Sequence, residues 1–377
     1  MLQKYCTKVS KLTAFSKAAL FFVSAFLLLL MQVDAAICQQ TPQTPNPKVE
    51  KKVEKTATSQ KSKRWFELDA LTISTRYRFI RTRNGVTSNN QAQYQLNARA
   101  RFKFDRAGKY AVHAGLFSGN SINGGWNNTG VGTGDGQTNL YLKQLYFSAK
   151  PVKELEIQFR GIGATNGENT EITGLDNDVY LTGERVVIRS PKKLYFDEIG
   201  ITYAYLGDFT RPSVFKRFKN LDKSNYHQFL VRKVVNKRVS FSADYTFESG
   251  RDTLHQAVKV KFPKSPVLDS VLFENYQRLD PDPGYGFNMM GDKVIGKKLT
   301  LTGGFAHIDR SILNGDRYPR GNRLHFSGAY KFNPEFTISS VIIQGVGPLA
   351  APTTVRTRYE LLFSYNILES LRRLKVH

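Results

Sequence analysis

Arg76 and Arg78, followed by Arg99, Arg101 and Lys103, place cations at two-residue spacing near the start of the regular part of this 377-residue chain. A guanidinium carries a permanent charge and five N–H donors, so a row of them attracts and orients anions and does not titrate near neutrality. Arg160, Lys259, Lys261, Arg323, Arg356 and Arg358 recur in similar settings further along. Acids gather elsewhere: Glu168, Glu171 and Asp176 lie within 164–177, and Asp178 follows directly. The chemistry on offer is electrostatic selection.

Signals for bond-making chemistry are poor. The histidines His113, His227, His255, His307, His325 and His377 show no metal-ligand spacing. The run GVGTGDG at 130–136 has no helix pattern behind it, as a nucleotide loop would require. Asp280 and Asp282 in DPDPG resemble the start of a calcium loop, yet Gly291 stands where a chelating glutamate belongs. Neither a metal nor a cofactor is expected. Ser224, Asn225 and His227 are the one nucleophile-and-base grouping, and they keep a membrane-embedded hydrolase as the rival class.

The positioning elements follow from alternation. Between 93 and 104, Tyr94, Leu96, Ala98, Ala100, Phe102 and Phe104 interleave without error with Gln93, Gln95, Asn97, Arg99, Arg101 and Lys103. A strand turns successive side chains to opposite faces, so this segment is oily on one side and cationic on the other. About sixteen such segments are expected: 66–80, 92–104, 109–118, 138–149, 154–163, 178–189, 194–206, 225–235, 238–248, 253–262, 267–277, 285–294, 299–308, 322–332, 335–344 and 355–367. Every second connection is short and rich in turn residues: 105–108, 150–153, 190–193, 236–237, 263–266, 296–298 and 333–334. The connections between these are mostly longer, notably 81–91, 119–137, 164–177, 207–224 and 309–321.

The N-terminus sets the compartment. Lys4, Lys8, Lys11 and Lys17 precede an apolar run over 18–31 and a small-residue site near Ala35, which reads as a signal peptide over 1–36. That run is too short to span a bilayer. Residues 37–64 are rich in Pro, Thr, Gln and Lys with no hydrophobic face, and are expected to form a disordered periplasmic linker. Cys38 lacks the small residue before it that lipidation needs, and it is the only cysteine left after cleavage, so no internal disulfide can form. Of the formal charge of +24, the part from Trp65 onward keeps +16. In an exported protein that balance points to lipid headgroups and anionic solutes as partners and away from nucleic acid.

No segment past the leader is apolar enough for a spanning helix, and a bilayer admits only helices or closed barrels. The expected fold is therefore all-β: a closed antiparallel transmembrane β-barrel of about 16 strands (14 to 18) over 65–367, with short periplasmic turns, long external loops and a basic tail at 368–377. Arg76 is expected near the level of Asn97, making a cationic stripe on the lumen wall.

Two resemblances carry the reading further. The acids at Glu168, Glu171, Asp176 and Asp178, in the third external connection, resemble general diffusion porins, whose third loop folds inward and sets acids against wall arginines. The segments TNLYLKQLYFSAKPVKELEIQFRGIG and GERVVIRSPKKLYFDEIGITYAYLGDF within 138–209 resemble the alginate-export type of outer-membrane barrel, which implies an arginine-lined pore and an acidic polymer as cargo. The expectation is an outer-membrane porin, not an enzyme, passing small hydrophilic or acidic solutes with anion preference. The alternatives are an exporter of anionic polysaccharide, a non-conducting structural or adhesive barrel, and the hydrolase above. Assembly as a homotrimer is left open.

Overall fold

The computed structural model describes residues 65–170, 179–189, 194–263, 265–280, 284–309, 320–347 and 355–374. The expected leader and linker, the tail beyond 374, and Glu171, Asp176 and Asp178 lie outside the described residues. The strands are β1 (Phe66–Thr82), β2 (Thr87–Lys103), β3 (Tyr110–Ser118), β4 (Asn127–Gly132), β5 (Leu140–Val152), β6 (Leu155–Gly163), β7 (Tyr180–Arg189), β8 (Glu198–Tyr205), β9 (Tyr226–Val234), β10 (Val239–Glu248), β11 (Arg251–Lys261), β12 (Ser270–Arg278), β13 (Gly284–Ile295), β14 (Leu299–Ile308), β15 (Gly321–Lys331), β16 (Phe336–Val346) and β17 (Val355–Asn366). Two short helices, α1 (Val214–Phe218) and α2 (Ile367–Arg373), complete the described elements.

Apart from β4, each strand pairs antiparallel with the next, and β1 pairs with β17 as well as with β2, which closes the ring. β4 stands outside it, pairing with the end of β2 while β3 pairs directly with β5, so the barrel has sixteen strands. Closure gives every mid-strand backbone group a ladder partner, which a chain in hydrocarbon must have.

The turns show why the register is held. At one end of the barrel, Asp105 accepts the amides of Ala107 and Tyr110, Asn236 those of Arg238 and Val239, and Asn333 those of Glu335 and Phe336. Side-chain oxygens thus stand in for missing backbone acceptors in three short turns. At the other end, Ser249 and Gly250 link β10 to β11 with φ of 50° and 84°, the double positive φ of a two-residue hairpin.

The faces are sorted opposite to those of a water-soluble protein. Ile73, Tyr203, Phe273, Met289, Phe326 and Tyr359 are exposed, whereas Arg76, Lys103, Asp244, Glu274, Arg358 and Glu360 are buried. Apolar exposure around a whole barrel far exceeds the few hundred Å² a soluble surface tolerates. Aromatic pairs edge this surface at both ends: Phe102–Phe104, Tyr110–Phe147 and Tyr330–Phe332 near the turns, Phe79–Tyr359, Tyr203–His227 and Tyr285–His307 near the loops. Amphipathic rings at the two edges of an apolar band match a bilayer's interfaces.

Three expectations need correction. The connection expected over 81–91 shrinks to four residues between Thr82 and Thr87, because both strands run on past the polar stretch that reads as a loop. In consequence Arg76 pairs with Gln93 and Thr72 with Asn97, so Arg76 stands about 13 Å nearer the loop end than expected. The long connection after β3 contains β4, whose glycines lack any apolar alternation.

Candidate functional site: a charged lumen crossed by inward segments

The inner wall is richest in charge where β17, β1 and β2 meet. Arg78 Nε stands 2.6 Å from Glu360 Oε1, Arg358 Nη2 2.7 Å and Arg76 Nη1 3.5 Å, so three guanidiniums share one carboxylate. Arg76 also donates through Nε to Gln93 at 2.7 Å, and its guanidinium lies 4.1 Å from the ring centre of Trp126. This cluster is packed rather than bathed: Arg358 is 2 % exposed, Arg76 5 % and Arg78 8 %. Three cations share this carboxylate, and the indole face adds cation–π attraction to Arg76.

Trp126 arrives on the segment between β3 and β4, which folds inward. Ile122 of the same segment joins Ile162, Leu181, Leu206 and Tyr226 in a small apolar cluster. Lys143, the bulged residue of β5, fastens it by donating to the carbonyls of Ser121 and Gly124 at 2.7 Å each. On the neighbouring connection, Arg217 of α1 donates to the carbonyls of Lys143 and Tyr180, and burial pushes its guanidinium down to about 10.

A second inward segment, 164–170, leaves β6 and reaches β12, six strands away around a ring of sixteen. Gln228 of β9 donates to the Thr165 carbonyl at 2.9 Å, and the Glu168 amide donates to Ser242 Oγ of β10 at 2.8 Å. The Glu168 carboxylate accepts from Arg232 Nε and Nη2 at 2.8 and 2.7 Å. Thr170 Oγ1 donates to Glu274 of β12 at 2.8 Å. Gly167 permits the crossing: its φ is +62°, and a Cβ there would stand 2.7 Å from the Ser242 side chain.

Glu274 continues into the wall, where Asn288 Nδ2 donates to it at 2.6 Å and His325 Nε2 lies 2.9 Å from Asn288 Oδ1. The His325 ring reaches across β14 because residue 304 is glycine; a Cβ would meet the ring at 2.7 Å. This wall, on β10 to β13, holds Asp244 and Glu274 buried, opposite in sign to the arginine wall.

The other expected basic residues are scattered. Arg101 holds Glu67 and Asp69 at 2.5 and 3.2 Å near the turn end, with Lys103 also on Glu67. Arg99 lies over the Phe117 ring at 5.3 Å. Lys259 and Lys261 stand level with Ser240 and Ser270 toward the same end. Arg323 spends its guanidinium on the carbonyls of Val355 and Arg320, and Arg356 is the bulged residue opposite the Arg81–Thr82 step. Arg160 is exposed, with φ of 87°, and its guanidinium lies 6.0 Å from the Phe218 ring. Trp126, Arg185 and Arg232 were not foreseen. The last shares an alternating row with Gln228 and Leu230, the available signal; Arg185 in GERVVIR has no clean alternation around it.

Ser224 Oγ and His227 Nε2 do meet, at 2.9 Å, on the outer side of the barrel where the histidine stacks on Tyr203 and Phe247. The same hydroxyl donates to the Ala204 carbonyl at 2.9 Å. Asn225 is engaged with the Leu206 amide and with Ser249, away from the imidazole.

No family model matches the sequence, and no curated protein matches it either. Solved structures do match in fold. One described as "Asymmetric conductivity of engineered proteins" has a TM-score of 0.52 at 11% identity, covering 80% of this chain and 99% of the other. A mutant of the Rh. blastica porin has a TM-score of 0.50 at 12% identity with the same coverage. The fold is that of an outer-membrane porin-like barrel.

Proposed function

We propose that the chain is exported behind a cleaved leader and forms a water-filled outer-membrane channel, through which small hydrophilic or acidic solutes diffuse passively with a preference for anions. One observation carries the reading: a closed barrel with apolar residues outside and charged residues within. A charged ring biases which ions enter, and the lumen's basic excess favours anions. Arg99 leads this role, Arg101 is held by Glu67 and Asp69, Arg76 is set back beneath Trp126, and Arg78 is held by Glu360. Glu168, together with Glu171, Asp176 and Asp178, shapes the narrowest level, and a homotrimer is the assembly proposed. A segment crossing from β6 to β12 favours small solutes over a polymer.

Planar-bilayer recordings in a potassium chloride gradient test this. Discrete conductance steps with a reversal potential on the anion side are expected. A closed bilayer at saturating protein, or cation selectivity, would sink it.

The contact between Ser224 and His227 supports a second reading, a lipid-facing hydrolase. The imidazole lacks the third polar group that orients a catalytic base, and the hydroxyl already serves a carbonyl. Purified protein is therefore expected to leave phospholipid esters intact. Hydrolysis that disappears in Ser224→Ala would promote the enzyme.

A further inference from the structure

We propose that the lumen wall of β2 to β7 holds a discrete binding pocket for a small hydroxylated carboxylate, of about the size of a sugar acid. The proposal rests on the channel reading and goes further, from a general charge preference to a saturable site. A cavity of about 210 Å³ is lined there by Arg99, Arg185, Gln144, Gln158, Tyr146 and Tyr180 among others, none of them acidic.

The two guanidiniums are unlike those around Glu360. Arg185 is buried, and its nitrogens go to neutral oxygens: Thr202 Oγ1 at 3.0 Å, Gln158 Oε1 at 3.3 Å and the Gly163 carbonyl at 2.6 Å. Those bonds fix its geometry without cancelling its charge. Among the described residues, Arg99 Nε is buried with no hydrogen-bond partner. Among the described residues, the neighbouring acids are spent elsewhere: Glu67 and Asp69 on Arg101, Glu156 on Arg189 and Gln158. A buried guanidinium and a half-buried one, facing one cavity, call for an anion, because a charge drawn out of water is costly until paired.

The remaining lining gives the ligand its other end. Gly163 has no side chain to fill the space beside the Gln144 amide, 3.6 Å from where a Cβ would stand. Tyr146 is braced upright by His113, stacked at 4.4 Å with the rings 2° from parallel. A carboxamide and a phenol next to paired guanidiniums suit hydroxyl groups close to a carboxylate. A bare inorganic anion would leave them unused.

The test is titration calorimetry of the full-length protein in detergent with glucuronate, glucose and sulfate, beside the bilayer recordings. Glucuronate is expected to bind saturably, glucose not at all, and sulfate at least tenfold more weakly. Arg99→Gln should weaken glucuronate at least tenfold. Gln158→Glu, which brings a carboxylate to Arg185, should abolish binding while the heat-dependent gel shift of a folded barrel persists. A conducting channel that binds no glucuronate would overturn the pocket and leave the channel standing. Glucuronate binding without conductance would do the reverse. Sulfate binding as tightly as glucuronate, or Arg99→Gln binding unchanged, would also overturn the proposed site.

Discussion

Two stretches of the same wall carry arginines to opposite effect. On β17 and β1, Arg76, Arg78 and Arg358 converge on Glu360, and Trp126 covers Arg76. On β2 and β7, Arg99 and Arg185 face a cavity with no carboxylate among the described residues of its lining. The residue type is shared; what differs is whether the fold supplies a counter-ion. Charge written in a sequence is therefore not the charge offered to a solute, and the second stretch should carry more of the selectivity despite holding fewer cations.

The most disruptive way to break this contrast is Glu360→Gln. Removing the carboxylate that three buried guanidiniums share breaks buried ion pairs, and losing one partner of such a pair costs roughly 3–5 kcal/mol. The barrel should then lose its folded gel mobility at lower temperature or lower urea, and the channels that survive should favour anions more strongly. Unchanged stability would mean that water, not Glu360, compensates the cluster.

Arg99→Gln sharpens the contrast from the other side. A unit charge roughly 10 Å from a permeating ion in water is worth about 0.4 kcal/mol, or about a twofold change in relative occupancy. Because removing the charge disfavours the anion and favours the cation by that factor each, the anion-to-cation permeability ratio should fall roughly fourfold per charge removed, by the same Coulomb estimate. A reversal potential that does not move would place the selective level elsewhere in the lumen.

How much of this was legible in the sequence depends on what encodes it. Strand positions were, because lipid outside and water inside force alternation, and segments such as 93–104 obey it without error. The even ring and the short turns followed from Asp105, Asn236 and Asn333, whose side chains build turns locally. The partners of the arginines were not, since they depend on where inward segments travel. Nothing near Trp126 in the sequence says that it will cover Arg76, nor does anything near Glu168 point to Arg232, 64 residues away. The level of Arg76 was misplaced for a related reason: a hairpin's closing residues set the register of both strands, and polar residues 87–91 conceal that β2 has already begun.

Trp126→Ala tests whether cover, and not only pairing, mutes the first cluster. The indole lies over Arg76 at 4.1 Å, an interaction worth about 0.5–2 kcal/mol in such settings. Its removal should open the guanidinium to the lumen and raise anion preference, opposite in sign to Arg99→Gln. Bilayer recordings that show the same sign for both variants would collapse the distinction between the two stretches.

An exposed ion pair supplies the baseline against which both buried stretches are judged. Asp269, in the turn before β12, is held below the usual carboxylate range, first by the Val294 amide at 2.7 Å and then by Lys293 at 3.0 Å. A depressed folded pKa contributes stability that is fully present above the ordinary aspartate value and is lost as pH falls through the lowered one. The carboxylate is open to solvent, so salt and water screen the effect. Asp269→Asn should therefore lower stability slightly at neutral pH, by this small screened contribution, and change nothing at acid pH, where the contribution is already lost. A loss at neutral pH as large as that of Glu360→Gln would show that burial is not what separates strong pairs from weak ones in this barrel.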